Sequence, residues 1–206
     1  QRGEKAELIE SATRNARESL GRKMAETATQ AKLLRGVAEA FGLDRPPARI
    51  EVYDNSHIQG AHAVGAMIVA GPEGFMKSHY RKFNIRGDDL TPGDDFGMMK
   101  EVLTRRFRRL AKSRDKAATG ADGEGLGTDR GEEAWRRAPD LVLIDGGKGQ
   151  LSAARGILED LGIEDGCMIG VAKGPHHGRE GREVFHLMDG REITFPLNHP
   201  VLFYLQ

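Results

Sequence analysis

The segment PDLVLIDGGKGQLSAARGILEDLGI, residues 139–163, restricts the fold of this chain more than any other. Its four consecutive apolar residues, 141–144, are typical of a strand that is buried on both faces. Asp145 ends this strand, a Gly-Gly pair indicates a tight turn, and the apolar spacing over 151–161 predicts a helix. The sequence therefore predicts a strand, loop and helix unit with a carboxylate at the end of the strand.

The glycine-rich turn of this unit does not form a nucleotide-binding P-loop. That motif needs two glycines around four residues, followed by Lys and then Ser or Thr. Here Lys148 is followed by Gly149 and Gln150 instead. Our interpretation is that the glycines let a nucleic-acid backbone or a metal-bound phosphate come close, while Lys148 supplies a positive charge.

A second carboxylate, Asp54, stands at the end of another predicted strand. Ile50, Val52 and Tyr53 indicate a short, mostly buried strand, and Asn55 begins the polar stretch that ends it. A carboxylate at a strand end is well placed for chemistry, but an Asp before Asn and Ser is equally typical of an Asx turn. This stretch alone leaves both interpretations open.

The run TPGDDFGMMKEVLTRRFRRLAK, residues 91–112, predicts an amphipathic helix capped by Thr91 or Asp94. One face is apolar at steps of three and four and is expected in the core: Phe96, Met99, Leu103, Phe107 and Leu110. The rest of the final turns is expected to form a cationic ridge: Arg105, Arg106, Arg108, Arg109 and Lys112. Asp95 is expected to stay ionised at the positive end of this helix. An acid in the first turn is also common in purely structural helices.

The first half of the chain predicts a helical connector and then a meander. Residues 1–48 are expected to form one long bent helix or two helices, separate from a domain at 49–206. After the Asp54 strand, AVGAMIVAG and FMKSHYRKFNI complete three antiparallel strands. In the third strand Lys77, Arg81 and Lys82 alternate with aromatic residues, which suits contact with a phosphate backbone. A solvated outer face with aromatics toward the core is the alternative.

The remaining segments complete an alternation of helices and strands. Residues 113–138 lose periodicity and predict a flexible surface insertion. CMIGVAKG predicts a buried strand that ends at Lys173, EVFHLMDGREITF predicts a hairpin, and PLNHPVLFYLQ begins a helix. The pattern as a whole indicates an α/β fold.

Composition narrows the class of protein. The 31 Lys and Arg residues balance 31 Asp and Glu residues, so any nucleic-acid contact must rest on local patches. The one cysteine, Cys167, excludes an intrachain disulfide and a Cys-based zinc site, and fits a reducing cytoplasm. No apolar stretch reaches the roughly 18 to 20 residues of a membrane span, so we expect no membrane association.

Two strand-end aspartates and one helix-start aspartate predict a common site. Asp54, Asp95 and Asp145 supply carboxylate oxygens, the ligands that hard cations such as Mg²⁺ or Mn²⁺ prefer. Such cations bridge to substrate phosphates, and cationic strands lie nearby in the sequence. The residues therefore indicate metal-dependent phosphodiester chemistry.

Five motifs also give the chain a resemblance to a known family. YDNSHIQG, KSHYRKFNI, TPGDDFGMMKEVLTRR, PDLVLIDGGKGQL and IGVAKG occur in this order. Together they resemble the C-terminal endonuclease half of UvrC, the incision subunit of bacterial nucleotide excision repair. The resemblance covers nearly all of residues 49–206. It implies an RNase H-like mixed sheet, an antiparallel meander plus parallel strands, with flanking helices and an N-terminal helical segment before them.

The resemblance also implies an activity and its site. The family's domain cuts damaged DNA on the 5′ side of a lesion, with Mg²⁺ or Mn²⁺ held by Asp54 and Asp145, and with Asp95 as a further acid. The candidates for contact with DNA phosphates are Lys148, Lys173, Lys77, Arg81, Lys82 and Arg105. The implied partners are damaged double-stranded DNA and, through regions outside this chain, UvrB and UvrA.

The chain departs from the family's pattern in ways that affect this expectation. The family's catalytic histidine is expected about two helical turns beyond Gln206, which leaves the activity of the isolated chain open. We therefore expect the chain to be a piece of a larger protein. Asn55 stands where the family commonly has Ile. The alternative from another class is a non-catalytic DNA-binding or assembly module with an RNase H-like scaffold.

Overall fold

A computed structural model describes residues 2–58, 61–85, 94–118, 135–163, 167–173 and 183–206. Its helices are α1 (Arg2–Phe41), α2 (Asp95–Ala118), α3 (Lys148–Asp160) and α4 (Pro200–Leu205), with a 3₁₀ helix at Lys77–His79. Its strands are β1 (Ile50–Ile58), β2 (Ala61–Gly71), β3 (Gly74–Phe75), β4 (Arg81–Asn84), β5 (Leu141–Asp145), β6 (Cys167–Ala172), β7 (Val184–Leu187) and β8 (Glu192–Ile193).

These strands form one mixed sheet in the order β3-β2-β1-β5-β6-β7-β8, with β4 also paired to β2. The pairs β1–β2, β2–β4, β6–β7 and β7–β8 are antiparallel. The central pairs β1–β5 and β5–β6 are parallel. The predicted combination of an antiparallel meander with parallel strands is confirmed.

Each face of the sheet is covered by helices, as the apolar run of β5 requires. Val142 and Ile144 pack on the face that α2 and α3 cover, whereas Leu141 and Leu143 pack on the face that α1 and α4 cover. All four side chains are at most 3% exposed. A strand buried on both faces accounts for the absence of alternating polar residues in its sequence.

The N-terminal segment is a single helix, and its last third packs on the sheet. Leu34, Val37 and Phe41 are buried in the core on the α1 face. Ile9 and Leu20 are 68% and 59% exposed. No helix within the described residues is long and apolar enough to cross a membrane. The domain boundary at 48/49 stays a prediction.

Two details of the predicted elements are wrong. The third strand of the meander is not continuous, because Lys77–His79 forms a 3₁₀ turn that directs the His79 ring inward to Arg49. Phe96 is not a core residue, since its ring is 53% exposed at the first turn of α2 and packs near Gly149. Met98, which is 3% exposed, is buried instead.

The predicted insertion also begins later than residue 113. Helix α2 continues to Ala118, so residues 113–118 are helical. Residues 119–134 lie outside the described residues, and the chain is described again from Trp135. Trp135 packs edge-on against Phe83 with ring centroids 5.9 Å apart, which fixes the far end of this segment on the core.

Candidate active site

Asp54 and Asp145 lie side by side where the parallel pairing of β1 with β5 ends. Asp145 ends β5, but the prediction that Asp54 ends its strand or begins an Asx turn is wrong, because β1 continues to Ile58 in antiparallel pairing with β2. Tyr53 of β1 is the parallel partner of Ile144 of β5, and each aspartate is the next residue along its strand. Strand alternation places both on the face of Val52 and Leu143, opposite the buried Tyr53 and Ile144. Both side chains are exposed. We call Asp54 and Asp145 the strand-end pair.

The strand-end pair is electrostatically coupled. Partial burial raises the pKa of the Asp145 carboxyl, and the negative charge of Asp54 raises it further. Lys173, just after β6, opposes this rise in pKa, while the charge of Asp95 adds to it. Because these interactions act over short distances, all three predicted acids and Lys173 belong to one charged region.

Asp95 reaches this region from the first residue of α2. The side chain of Asp94 caps the helix, since Asp94 Oδ1 accepts a hydrogen bond from the Gly97 backbone N–H at 2.8 Å. This selects Asp94 over Thr91 as the cap. Asp95 itself is exposed. Among the described residues, no three His, Cys, Asp or Glu side chains form a ready metal-binding group, so Asp95 does not complete a triad with the strand-end pair.

The turn after Asp145 is held against the neighbouring strand β6. The Gly146 N–H donates to the Val171 carbonyl at 2.9 Å, and Gly146 adopts a positive φ of 156°. A Cβ added at Gly170 would lie 2.8 Å from the Gly146 carbonyl oxygen. The absence of a side chain at Gly170 therefore lets the turn approach β6 closely.

The predicted phosphate-binding cations separate into two groups. Lys82 pairs with Ala66, which pairs with Asp54, so Lys82 lies on the same row and face as the strand-end pair. Its backbone is about 10 Å from that of Asp54, two strand spacings away. Lys173 is exposed at the end of β6. Lys82 and Lys173 therefore lie on either side of the strand-end pair.

The other candidate cations are engaged elsewhere. Arg81 donates to the carbonyls of Ser78 and Tyr80, and Arg105 donates to the Asn84 carbonyl at 2.8 Å. Lys148 Nζ forms an ion pair with Glu192 at 2.6 Å.

Lys77 is exposed at a different level of the sheet. Its neighbour Met76 donates to the Val69 carbonyl, and Val69 pairs with Glu51 rather than with Asp54. The structure thus does not bring Lys77 to the strand-end pair.

Sequence reasoning missed a cluster of buried charged residues around Glu51, which lies three residues before Asp54. We call it the buried charge cluster. It consists of Arg49, Glu51 and Arg106, each fully buried. Glu51 Oε1 lies 2.7 Å from a guanidinium nitrogen of Arg49 and 2.7 Å from one of Arg106. Tyr53 also donates its hydroxyl to Glu51. The placement of Arg106 on a solvent-facing cationic ridge is therefore wrong, because its guanidinium is needed to neutralise Glu51.

The buried charge cluster holds Glu51 as an anion. Burial alone raises the pKa of Glu51, but the charges and hydrogen bonds of Arg106 and Arg49 outweigh it and lower that pKa. The sequence holds only part of a signal for this cluster: Arg49 and Glu51 stand two positions apart at the start of β1, but Arg106 follows 55 positions after Glu51.

Comparison with known proteins identifies the family. The family model described as "UvrC RNAse H endonuclease domain" matches residues 38–206. The chain belongs to this family. The description of this family identifies the chain as an endonuclease domain. The RNase H-like α/β fold that the sequence motifs implied is confirmed.

Curated UvrC relatives resemble the chain over its whole length. The UvrABC system protein C of Jannaschia sp. (strain CCS1) is 62% identical over 206 residues, and that of Ruegeria pomeroyi is 60% identical over 206 residues. In both cases the alignment covers 100% of this chain and 30% of the relative. The chain thus spans about a third of the length of the UvrC proteins that it matches.

Proposed function

We propose that the strand-end pair is the metal-binding part of a DNA endonuclease site that makes the 5′ incision beside a lesion in nucleotide excision repair. The observation that carries this proposal is the placement of Asp54 and Asp145 as neighbours on adjacent parallel strands, exposed on one face. Membership of the UvrC endonuclease family supports the activity, and the naming of the relatives as components of a UvrABC system supports the repair role.

The donor set of the strand-end pair fits a hard divalent cation. Partial burial and then the charge of Asp54 raise the pKa of Asp145, and a dication between the two carboxylates would relieve the repulsive part of that rise. Carboxylate oxygens are the ligands that Mg²⁺ and Mn²⁺ prefer, with water and substrate phosphate completing the shell. A bound Mg²⁺ or Mn²⁺ would supply Lewis-acid polarisation of the scissile phosphate and a lowered pKa of the attacking water.

The chain's own residues then bind and orient the DNA strand. Lys82 and Lys173, on either side of the strand-end pair, would neutralise phosphates of a strand that crosses Asp54 and Asp145. Ala66, between Lys82 and Asp54, is exposed and leaves this path unobstructed. Lys148 is paired with Glu192, but its exposed ammonium group has three donors and could contact a phosphate as well.

The proposed activity also involves a further acid, partner molecules and a group that transfers a proton. Asp95 would assist as a further acid at the same end of the sheet. The proposed partners are damaged double-stranded DNA, UvrB and UvrA, and the proposed location is the cytoplasm. Proton transfer at the leaving oxygen or at the attacking water would fall to the catalytic histidine that the family resemblance implies.

The test compares Asp54→Asn and Asp145→Asn with a matched control in the full-length protein. We expect each to lower the rate of 5′ incision at a defined lesion by on the order of 10²- to 10³-fold, as for other electrostatic groups at a transition state. The 3′ incision should be unchanged. The control Asp160→Asn changes an exposed aspartate at the end of α3 and should incise normally. Normal 5′ incision by either strand-end variant would contradict the proposal.

A non-catalytic DNA-binding module is the second candidate, because the described residues contain no ready three-ligand metal group. Crystals soaked in Mn²⁺ distinguish the two functions. Anomalous density between Asp54 and Asp145 supports the nuclease. Its absence, with DNA binding retained, favours the module.

A further inference from the structure

Arg106 connects three segments of the chain through one guanidinium group. Its Nε donates to Glu51 Oε2 at 3.1 Å and its Nη2 donates to Glu51 Oε1 at 2.7 Å, so the guanidinium binds the Glu51 carboxylate in a bidentate manner. Its Nη1 donates to the Trp135 carbonyl at 2.9 Å, and its Nη2 also donates to the Arg137 carbonyl at 2.7 Å. Arg106 is therefore bonded from α2 to β1 and to the segment that precedes β5.

Each of these segments leads to one acid of the proposed site. Glu51 precedes Asp54 by three residues on β1, and Arg106 lies on the helix that begins at Asp95. Trp135 and Arg137 lie in the stretch that continues into β5, which ends at Asp145. One side chain thus sets the positions of the three elements that carry Asp54, Asp95 and Asp145.

The apolar contacts of α2 specify the position of this helix on the sheet less sharply than the contact between Arg106 and Glu51 does. Met99, Val102, Leu103 and Phe107 pack against the sheet through apolar surfaces. Apolar contacts are non-directional, so their free energy depends on buried area more than on the alignment of particular atoms. A guanidinium fork has a fixed geometry and accepts one alignment with its carboxylate. The charged contact therefore fixes the register of α2 on β1 and β5.

We propose that Arg106 is a positioning residue of the nuclease site, which sets Asp95 and Asp145 relative to Asp54 without touching the substrate. This inference rests on the proposed function of the strand-end pair. Its role differs from the cationic ridge predicted for the same helix, because Arg106 is 0% exposed and meets no DNA.

The decisive variants are Arg106→Met and Arg106→Lys. Arg106→Met removes the fork but leaves Glu51 paired with Arg49 and hydrogen-bonded to Tyr53, so the chain retains a neutral buried pair and is expected to fold. Arg106→Lys keeps the positive charge. Its ammonium group cannot reproduce the bidentate contact with Glu51 together with the hydrogen bonds to the Trp135 and Arg137 carbonyls. Arg155→Gln is the control, because Arg155 forms an exposed i,i+4 ion pair with Glu159 on α3.

Kinetics of the full-length protein give the first readout. We expect Arg106→Met to lower the single-turnover rate of 5′ incision by on the order of 10- to 100-fold, the size of effect seen for residues that orient metal ligands. The Mg²⁺ concentration for half-maximal rate should rise, and the DNA concentration for half-maximal rate should stay the same. Arg106→Lys should restore part of the rate, and Arg155→Gln should match the wild type.

Mn²⁺-induced broadening of backbone amide signals gives a second readout that needs no activity. In the wild type, the amides of Asp54, Asp145 and Asp95 should broaden together as Mn²⁺ is added. In Arg106→Met the broadening at Asp95 should weaken relative to that at Asp54, because α2 is no longer held in register. A variant that merely lost stability would show no such difference between the two acids in its folded fraction.

The outcomes separate this inference from the function on which it rests. A folded Arg106→Met variant with wild-type rate, Mg²⁺ requirement and broadening pattern overturns the positioning role. If Arg106→Met does not fold, a folded Arg106→Lys variant with wild-type rate and Mg²⁺ requirement overturns it instead. Absence of Mn²⁺ broadening at Asp54 and Asp145 in the wild type contradicts the proposed function and not the role of Arg106.

Discussion

Glu51 and Asp54 are carboxylates on the same strand, three residues apart, in opposite surroundings. Glu51 is fully buried between two guanidinium groups and a tyrosine hydroxyl. Asp54 is exposed and adds its charge to that of Asp145. Within the buried charge cluster attraction outweighs desolvation, whereas in the strand-end pair like charges are brought together.

This difference shows how one strand serves both stability and chemistry. A paired, desolvated carboxylate keeps its charge and fixes its neighbours, so it is suited to holding elements in register. Two exposed, mutually repelling carboxylates are suited to receiving a cation from solvent. The odd-numbered Glu51 and the even-numbered Asp54 project on opposite faces of β1, which keeps the two functions apart.

The largest effect is expected when the buried charge cluster loses its anion. Glu51→Gln keeps the shape of the side chain but leaves the buried guanidinium groups of Arg49 and Arg106 without a carboxylate. Breaking a buried ion pair in this way should lower the free energy of unfolding by about 3–5 kcal/mol. Urea unfolding followed by circular dichroism measures the change.

A surface carboxylate on a helix is the control for Glu51→Gln. Glu159→Gln removes the partner of Arg155 in an exposed pair at 3.1 Å, which should cost less than about 1 kcal/mol. Similar losses for both variants would show that burial does not distinguish the cluster from an ordinary surface pair.

The next effect concerns the turn that carries Asp145. In Gly170→Ala the new Cβ would meet the Gly146 carbonyl oxygen at 2.8 Å and the Gly147 carbonyl oxygen at 3.3 Å, so the backbone of the turn must shift. We expect a loss of about 1–3 kcal/mol in the free energy of unfolding, typical of an overpacked site. Urea unfolding and a changed amide chemical shift at Asp145 would both report the shift.

The control for this variant is a glycine with open space around it. Gly156 lies in the middle of α3, and a Cβ there meets nothing within 4 Å. Gly156→Ala should therefore stabilise the chain by about 0.5–1 kcal/mol through its better helix propensity. If Gly170→Ala were equally stabilising, close approach of the turn to β6 would not be a requirement of the site.

Much of the fold could be predicted because its signals are local. The continuous apolar run 141–144 is sufficient to indicate a strand buried on both faces, and the parallel pairing of that strand brings Asp145 beside Asp54 of β1. Asp54 follows Tyr53, the last residue of β1 that pairs with β5, so the two aspartates are neighbours as predicted. The polar residues after Asp54 did not mark the end of its strand, because pairing with β2 carries β1 on to Ile58. Its use as a nuclease site stays a prediction.

The buried charge cluster could not be predicted, because its partners are distant in sequence. Arg106 follows Met99 and Leu103 at steps of four and three, which fits the apolar face of α2, but we predicted it on the cationic ridge. The general exposure of arginine argued for the solvent side. Only Glu51, 55 positions away, reverses that expectation, and a single sequence does not show that the two residues meet.

The smallest effect comes from removing a charge of the strand-end pair. Burial and the charge of Asp54 raise the pKa of Asp145 in the folded chain above its ordinary value. A carboxyl group with a raised folded-state pKa favours folding below its unfolded pKa, and this contribution is lost as the pH rises through the folded value. Asp145→Asn should therefore stabilise the metal-free chain near pH 7 and leave it unchanged near about pH 3.

The gain near neutral pH should be less than about 1 kcal/mol, because Asp145 is exposed and solvent screens its interactions. Urea unfolding in the presence of a chelator, with and without Asp54→Asn, measures how much of the stabilisation by Asp145→Asn comes from the charge of Asp54. Asp145→Asn should stabilise less in the Asp54→Asn background, since the repulsion is already gone. An equal gain in both backgrounds would show that the charge of Asp54 does not raise the pKa of Asp145, which would then follow from burial and the charge of Asp95. The strand-end pair would then be two independent carboxylates, and its contrast with the buried charge cluster would rest on exposure rather than on repulsion.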